Sequence, residues 1–490
     1  MGSGGRLLTT SGQRAESMLL IRKHKAAEPH RRTPLQPDGA AYARLLLPFV
    51  LSTLTQPLLG AVDTAVMGRL PDPSYIAGVS VGAVIFSTIY WLLGFLRVGS
   101  TGFSAQAAAE PADQAPHALA RALWQPMFMA LGLGLLILCV HAPIFRAAML
   151  LLELDAPSRA VAHTYYTILV WCAPLVLMNY VMLGWLMGLS RIRATLFMQI
   201  GGNLLNMALD ILFVLHWGWG VEGVAVASCL AHVFSFAAGC LAVRRILPPA
   251  HAAHAHLCQK IASLLGLLRL EDMRRMLAVN GHLFLRTVCL LAQTNAFMAT
   301  ASRFGTLTLA ADAIIIQMML IFSYAFEGIA NASSVFAGSA AGSGSRGILK
   351  ACLWQTLVWT LGSALIMGLI YGLWREPLLG LFTELPDVRA EALRYAAWGL
   401  GFPLLAGIGL SFYGVFTGMS HTRPVFLSTL LALLLFALVW GMAVPRFGND
   451  GLWAAYLAFY LGRSLFLLPF VRRLFHLPCF AHAGHAPRSA

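Results

Sequence analysis

The sequence predicts an all-α membrane protein of twelve transmembrane helices, arranged as two pseudo-symmetric six-helix lobes. Three observations carry this: too little charge for the chain's size, a series of long apolar runs, and a co-linear repeat between the two halves. The chain has 490 residues, of which 58% are hydrophobic and only 11% charged, and its mean hydropathy is +0.72. A soluble protein covers its surface with about 25% charged residues. Much of this chain's surface must therefore face lipid.

The spans follow in order. A helix crossing a hydrocarbon core of roughly 30 Å needs about 20 mostly apolar residues. Apolar runs of that length occupy 42–68, 75–108, 119–145, 161–189, 194–217, 220–243, 278–302, 308–341, 349–373, 390–417, 424–445 and 451–475. None shows the alternation, about ten residues long, of a membrane β-strand. Residues 1–40 are polar and basic, with no apolar core of a signal peptide, and are expected to form a disordered cytoplasmic tail. The N-lobe is expected over 41–243 and the C-lobe over 278–476. Between them runs a basic connection, 244–277, and a short tail, 477–490, follows. If the N-terminus is cytoplasmic, roughly 23 of the 34 Lys and Arg residues fall on the same side as the tails and about 8 on the other. Both termini are then inside. The net charge of +14 reads as a topology signal, with no nucleic-acid partner. The eight cysteines sit singly, without CxxC, as small buried hydrophobes.

The repeat sets the architecture. A shift of 234 residues places Gly94-Phe-Leu-Arg-Val-Gly-Ser100 on Gly328-Ile-Ala-Asn-Ala-Ser-Ser334. A shift of 230 places Gly188-x-Ser190-x-x-Arg193 on Gly418-x-Ser420-x-x-Arg423 and Gly218 on Gly448. After a two-residue slip Gly223 meets Gly451. The offset equals six helices, an even number, so the two halves have the same orientation in the bilayer, as in transporters built from parallel repeats.

Ionisable groups inside spans are functional candidates. Asp63 lies in the first span beside the small-residue face Gly60, Thr64 and Gly68, on which another helix can approach closely. Asn203, Asn206 and Asp210 are spaced three and four apart on one face of the fifth span. A polar seam holding helices together is the plainer reading. Against it, burial disfavours the ionised form of a carboxyl group, a second carboxylate does so further, and such a pair exchanges protons as a unit. The repeat places Asp63 on Phe297 and Asp210 on Trp440, so these acids read as function added to one half of a duplicated frame. Arg97, Arg286, Glu327 and Arg463 are the other in-span charges. Arg286 and Glu327 are expected to pair or to line a polar cavity with Asn203. Pro48, Pro57, Pro174 and Pro403 are expected to kink their helices. His251, His254 and His256 lie in Ala-rich sequence unsuited to a rigid metal site, so neither a metal nor another cofactor is expected. No P-loop, GxSxG or HExxH occurs, which points away from an enzyme.

Three segments carry a resemblance to a known family. Leu47-Pro-Phe-Val and Gln56-Pro-Leu-Leu-Gly-Ala-Val-Asp63-Thr-Ala-Val-Met-Gly68 resemble the first helix of the multidrug and toxic compound extrusion (MATE) transporters, most closely their DinF-like branch. Phe95-Leu-Arg-Val-Gly-Ser-Thr-Gly102-Phe-Ser-Ala-Gln106 resembles the end of that branch's second helix. Asn203-Leu-Leu-Asn206-Met-Ala-Leu-Asp210 with Gly220-Val-Glu-Gly223-Val-Ala-Val-Ala-Ser228 resembles its fifth and sixth. The resemblance implies a monomeric antiporter of the bacterial inner membrane, with two lobes around a central cavity, exporting hydrophobic or cationic, amphipathic small molecules. Asp63, Asn206, Asp210 and Ser228 would form its cation-coupling cluster, and Pro48 its hinge. The family usually has threonine where Ser228 stands. Tyr413 stands where close relatives are expected to carry an acid, and the C-lobe reads as having only Glu327, which favours protons over sodium. Alternatives are a sodium-coupled exporter of the same fold and a lipid-linked precursor flippase. The flippase would need several cavity cations for a pyrophosphate.

Overall fold

The computed structural model describes residues 37–67, 73–111, 114–151, 155–247, 270–383 and 385–480. All of its regular structure is helical. In lipid a spanning segment must satisfy its own backbone N–H and C=O groups, and apolar runs of this length do so as helices. The elements are α1 (Gly39–Met67), α2 (Pro73–Leu92), α3 (Phe95–Ala108), α4 (Ala115–Leu151), α5 (Ala156–Leu169), α6 (Ala173–Gly188), α7 (Ile192–Asp210), α8 (Gly220–Ile246), α9 (Leu270–Ala301), α10 (Thr306–Ser343), α11 (Arg346–Gly380), α12 (Pro386–Gly418), α13 (Arg423–Phe447) and α14 (Asn449–Leu474).

These make the twelve expected spans, because α2 with α3 and α5 with α6 are single spans broken at mid-depth. Eleven are long and apolar enough to cross a membrane over their described residues. The twelfth, α1, is 29 residues long, about 44 Å of helix. Lipid-facing side chains such as Trp354, Leu365 and Leu373 are more than half exposed. Pro174 sits in the first turn of α6, just after the 3-10 turn Val170–Cys172 that splits the fourth span. The helix runs on through Pro48 and Pro403. The kink that sequence did not suggest is in α11, where Trp374 leaves helical geometry three residues before Pro377. The connection expected over 244–277 is helical at both ends, since α8 reaches Ile246 and α9 begins at Leu270. Its histidine cluster lies outside the described residues.

The two halves pack their helices in the same pattern. In the first, α3 lies on α6, α4 on α6, α7 on α8, and α1 on α7; in the second, α10 lies on α12, α11 on α12, α13 on α14, and α9 on α13. Between halves, α1 packs on α10 and α9 on α3, which is the same exchange read from each side. The backbone repeats too. Among the described residues, the non-glycine positions with positive φ are Ser190 and Ser420, at 55° and 53°, and they are repeat partners. So are Gly218 and Gly448, at 70° and 55°. Close helix approach recurs at matched glycines. A Cβ on Gly184 would meet the Arg97 carbonyl oxygen at 2.2 Å, and one on Gly414 the Ala330 carbonyl oxygen at 2.0 Å.

The halves are joined toward one end, where the described N- and C-termini lie. Tyr42, fully buried, bonds the Ser333 hydroxyl at 2.6 Å and stacks on Phe336 and Trp359. Gln106 Nε2 donates to the Gly418 carbonyl at 2.6 Å and to Ser420 Oγ at 2.8 Å. Gly102 abuts the Thr417 carbonyl, where a Cβ would come within 2.4 Å.

The α10–α12 contact therefore excludes any side chain at Gly414, whereas Gly441 has nothing within 4 Å and faces outward. Gly414→Leu is expected to cost about 3 kcal/mol or more through forced separation of packed backbones, and Gly441→Leu little. Thermal unfolding midpoints in detergent check this; equal midpoints for the two variants would contradict it.

Candidate functional site

The fifth span places its polar face inward. Asn206 and Asp210 are buried, at 3% and 0% exposure, and Asn203 one turn earlier is half-buried. Asn206 Nδ2 donates to Asp210 Oδ2 at 3.1 Å and makes a longer contact to Ser228 Oγ on α8 at 3.4 Å. Three of the four residues expected in the coupling cluster thus meet. The fourth, Asp63, lies in α1, but its side chain lies outside the described residues. Its helix packs on α7, and Ser52 of α1 is hydrogen-bonded to Gln199 of α7.

Sequence did not reveal that Asp210 is the last α-helical residue of its span. From Ile211 to His216 the chain makes a π-helical turn, closed by Phe213 stacking on Trp217 and Trp219 with ring centroids 5.0 Å apart in each case. Such turns loosen the regular hydrogen-bond ladder and gather at functional positions.

The repeat counterparts of the cluster can be followed in the second half. Phe297 stands for Asp63, Trp440 for Asp210 and, after the two-residue slip, Tyr456 for Ser228. Phe297 packs edge-on against Tyr456 and Trp453, with centroids 5.2 and 5.0 Å away. Trp440 Nε1 donates to Thr300 Oγ1, one turn along α9 from Phe297, at 3.0 Å. What is acid and amide in one half is thus an aromatic cluster in the other.

The structure corrects the expectation that the second half has only Glu327 as an in-span acid. Asp312 of α10 is fully buried. Its Oδ1 accepts from Asn449 Nδ2 at 3.0 Å and from Trp453 Nε1 at 2.8 Å. The indole thereby ties this carboxylate to the Phe297 cluster.

A second correction concerns the charges between the halves. Glu327 pairs not with Arg286 but with Arg97 of α3, so this ion pair spans the two lobes at mid-depth. Arg286 of α9 instead lies over the Tyr413 ring, 4.5 Å from its centroid. Helix α1 crosses beside them: Thr53 Oγ1 donates to the Tyr324 carbonyl of α10 at 3.1 Å, while its neighbour Ser52 holds α7. Pro48 lies between these residues and the docked Tyr42. Among the described residues, no three His, Cys, Asp or Glu side chains gather as a metal would require.

Glu327→Gln would leave the half-buried Arg97 guanidinium without its partner. The expected loss is about 1–3 kcal/mol of stability, largely recovered in the double variant Arg97→Gln/Glu327→Gln. Unfolding midpoints of the three proteins check this, and a double variant less stable than either single one would contradict it.

Comparison with known proteins agrees with this architecture. The MatE family profile matches residues 48–212 and 283–442, one stretch in each half. DNA damage-inducible protein F of Escherichia coli K12 is 33% identical over 90% of this chain and 93% of its own length. Among solved structures, the Vibrio cholerae MATE transporter VcmN superposes with a TM-score of 0.77 at 16% identity, covering 91% of this chain and 99% of that one. A MOP-superfamily transporter from Pyrococcus furiosus gives 0.76 at 18%, covering 90% and 97%. The polytopic helical frame, the doubled match and the near full-length relative make this chain a member of the MATE family of multidrug and toxic-compound efflux transporters, and not an enzyme.

Proposed function

We propose that this transporter is a proton-coupled antiporter of the bacterial inner membrane, with both termini cytoplasmic. Its coupling site is Asp63, Asn206, Asp210 and Ser228, its cargo is an amphipathic small molecule, and no cofactor takes part. The observation that carries this is the Asn206–Asp210 hydrogen bond, at 3.1 Å in a fully buried setting. A carboxylate away from water is stable when ionised only with donors turned to it. An amide offers N–H to the ionised form and, by flipping, C=O to the protonated one. Asn206 can therefore partner Asp210 in both states.

The meeting of Phe297 with Tyr456, and of Trp440 with Thr300, supports placing Asp63 against Ser228 and Asp210, because the two halves share one packing pattern. Protonation would remove charge at the junction of α1, α7 and α8. The π-turn after Asp210 gives α7 room to adjust there. Helix α1 touches α7 on one side and α10 on the other, so its bending about Pro48 would carry the change to the lobe interface. With both termini cytoplasmic, the inter-lobe hydrogen bonds of the described residues lie at mid-span, as Thr53–Tyr324 and Arg97–Glu327 do, or on its cytoplasmic side, as Tyr42–Ser333 and Gln106–Gly418 do, an arrangement that suits a cavity open outward.

In proteoliposomes with pH and sodium gradients imposed separately, wild type is expected to move cargo with the pH gradient alone. Asp63→Asn and Asp210→Asn should lose that coupled transport by about two orders of magnitude, the loss expected when an essential proton-carrying group is removed. Efflux that follows sodium, or an Asp210→Asn protein with wild-type pH-driven efflux, would contradict the reading. Asn206→Ala leaves Asp210 short of a donor, so transport should fall by about tenfold, with its pH optimum displaced; an unchanged profile would count against the amide's role.

A further inference from the structure

The membrane interior of the second lobe carries two guanidinium groups that nothing described neutralises. Arg286 sits near the middle of α9 and Arg463 near the middle of α14. Arg463 is only 4% exposed. Its guanidinium carbon lies 5.5 Å from the Tyr460 ring centroid and 5.8 Å from that of Phe459. Arg286 Nε is buried without a hydrogen-bond partner. Among the described residues no carboxylate lies within ion-pair distance of either, and Glu327 is engaged by Arg97. Arg286 covers the Tyr413 ring of α12, and Arg463 packs on the same helix one turn earlier, where a Cβ on Gly409 would meet its carbonyl carbon at 3.2 Å. Two positive charges without a carboxylate partner among the described residues therefore border α12 near mid-span, where an uncompensated charge is most costly.

Ring faces ease this burial but do not end it. A cation over an aromatic face gains modestly, while a guanidinium has five N–H groups that want acceptors. Two further unpartnered buried donors are Gln293 Nε2, two turns from Arg286 on the same face of α9, and Asn331 Nδ2, one turn from Glu327 on α10. A lipid-linked phosphate carrier would need several cations in its cavity. Sequence made them look scarce because Arg97, Arg286 and Arg463 come from three different spans.

We propose that Arg286, over the Tyr413 ring, and Arg463, packed on α12 one turn before Tyr413, form an anion subsite for the cargo. The substrate class is an organic anion, with a carboxylate, sulfonate or phosphate attached to an apolar body. The body meets the aromatic side chains of the second lobe, and the anionic group takes up the unused N–H donors. This rests on the antiport reading and deepens it. A monocation leaving in exchange for a proton moves no net charge, whereas an anion leaving as a proton enters moves two charges inward. Export of an anion is thus driven by an inside-negative potential even without a pH difference.

The test uses the full chain in proteoliposomes and two probes that differ only in head group: dansylated aminoethanesulfonate and dansylated aminoethyl-trimethylammonium. Wild type is expected to bind the sulfonate at least about tenfold more tightly than the cation, and to export it under an imposed potential at equal pH. Arg286→Gln and Arg463→Gln should each weaken sulfonate binding by about tenfold or more without weakening the cation probe. Arg463→Lys should lose less than Arg463→Gln, and Arg446→Gln, at the exposed end of α13, should change neither. Unfolding midpoints identify any variant that has merely misfolded. Competition by phosphatidic acid in the vesicles would assign the anion to a lipid headgroup, and competition by soluble alkyl phosphate alone to a free organic anion. Tighter binding of the cation by wild type, or sulfonate binding untouched in folded Arg286→Gln and Arg463→Gln proteins, overturns the proposal. If the cation alone is exported with the pH gradient, the anion subsite fails and the coupling reading stands. If sulfonate binds through the arginines but no gradient moves it, the coupling reading fails and the subsite stands.

Discussion

A charge held away from water needs a partner, and in this protein the in-span acids Asp210, Asp312 and Glu327 are placed by that need. Asp210 has the Asn206 amide, Asp312 has Asn449 and Trp453, and Arg97 has Glu327. Each partnership crosses a boundary that matters. The first is linked through Asn206 to α8, the second ties α10 to α14, and the third spans the two lobes. In lipid, where helix association draws little on hydrophobic burial, such bonds together with close glycine contacts decide how the helices sit. They are also what a proton or an anion can alter.

Duplication explains why the frame is so regular and its chemistry so uneven. Ser190 and Ser420 share an unusual left-handed backbone, and Gly184 and Gly414 seat equivalent helix pairs. Both are backbone requirements, kept in each half because the packing fails without them. Side chains at the repeat positions are under no such constraint. Where one half carries Asp210 and Ser228, the other carries Trp440 and Tyr456. The second half in turn has Asp312 where the shift of 234 finds Gly78 in the first. Each half therefore has its own buried acid, at a different depth and with different partners, so the asymmetry is of placement rather than of acid content.

The frame was legible because its signals are local or periodic: twelve apolar runs, and small residues recurring at a constant offset. The Asn206–Asp210 contact was legible for the same reason, since four residues along a helix fixes neighbours. Asp312 was within reach of the same reasoning, being a lone acid in the apolar run Leu309-Ala-Ala-Asp312-Ala-Ile, yet it lies near a span end, where an acid looks like a loop residue. The partner of Glu327 was not legible. Arg97 is 230 residues away, and only the packing of α3 on α10 brings it close. The π-turn after Asp210 has no mark in Ile211-Leu-Phe-Val-Leu-His216, because it answers to the packing of Phe213 beneath two tryptophans.

The central claim is that Asp210 and its partners exchange a proton in step with cargo. The direct measurement is proton release on adding cargo to the detergent-purified transporter in weak buffer near neutral pH, followed with a pH-sensitive dye. The account predicts release from wild type that saturates with cargo and disappears in Asp210→Asn. Saturable cargo binding with no proton release, or equal release from the Asp210→Asn protein, would contradict it.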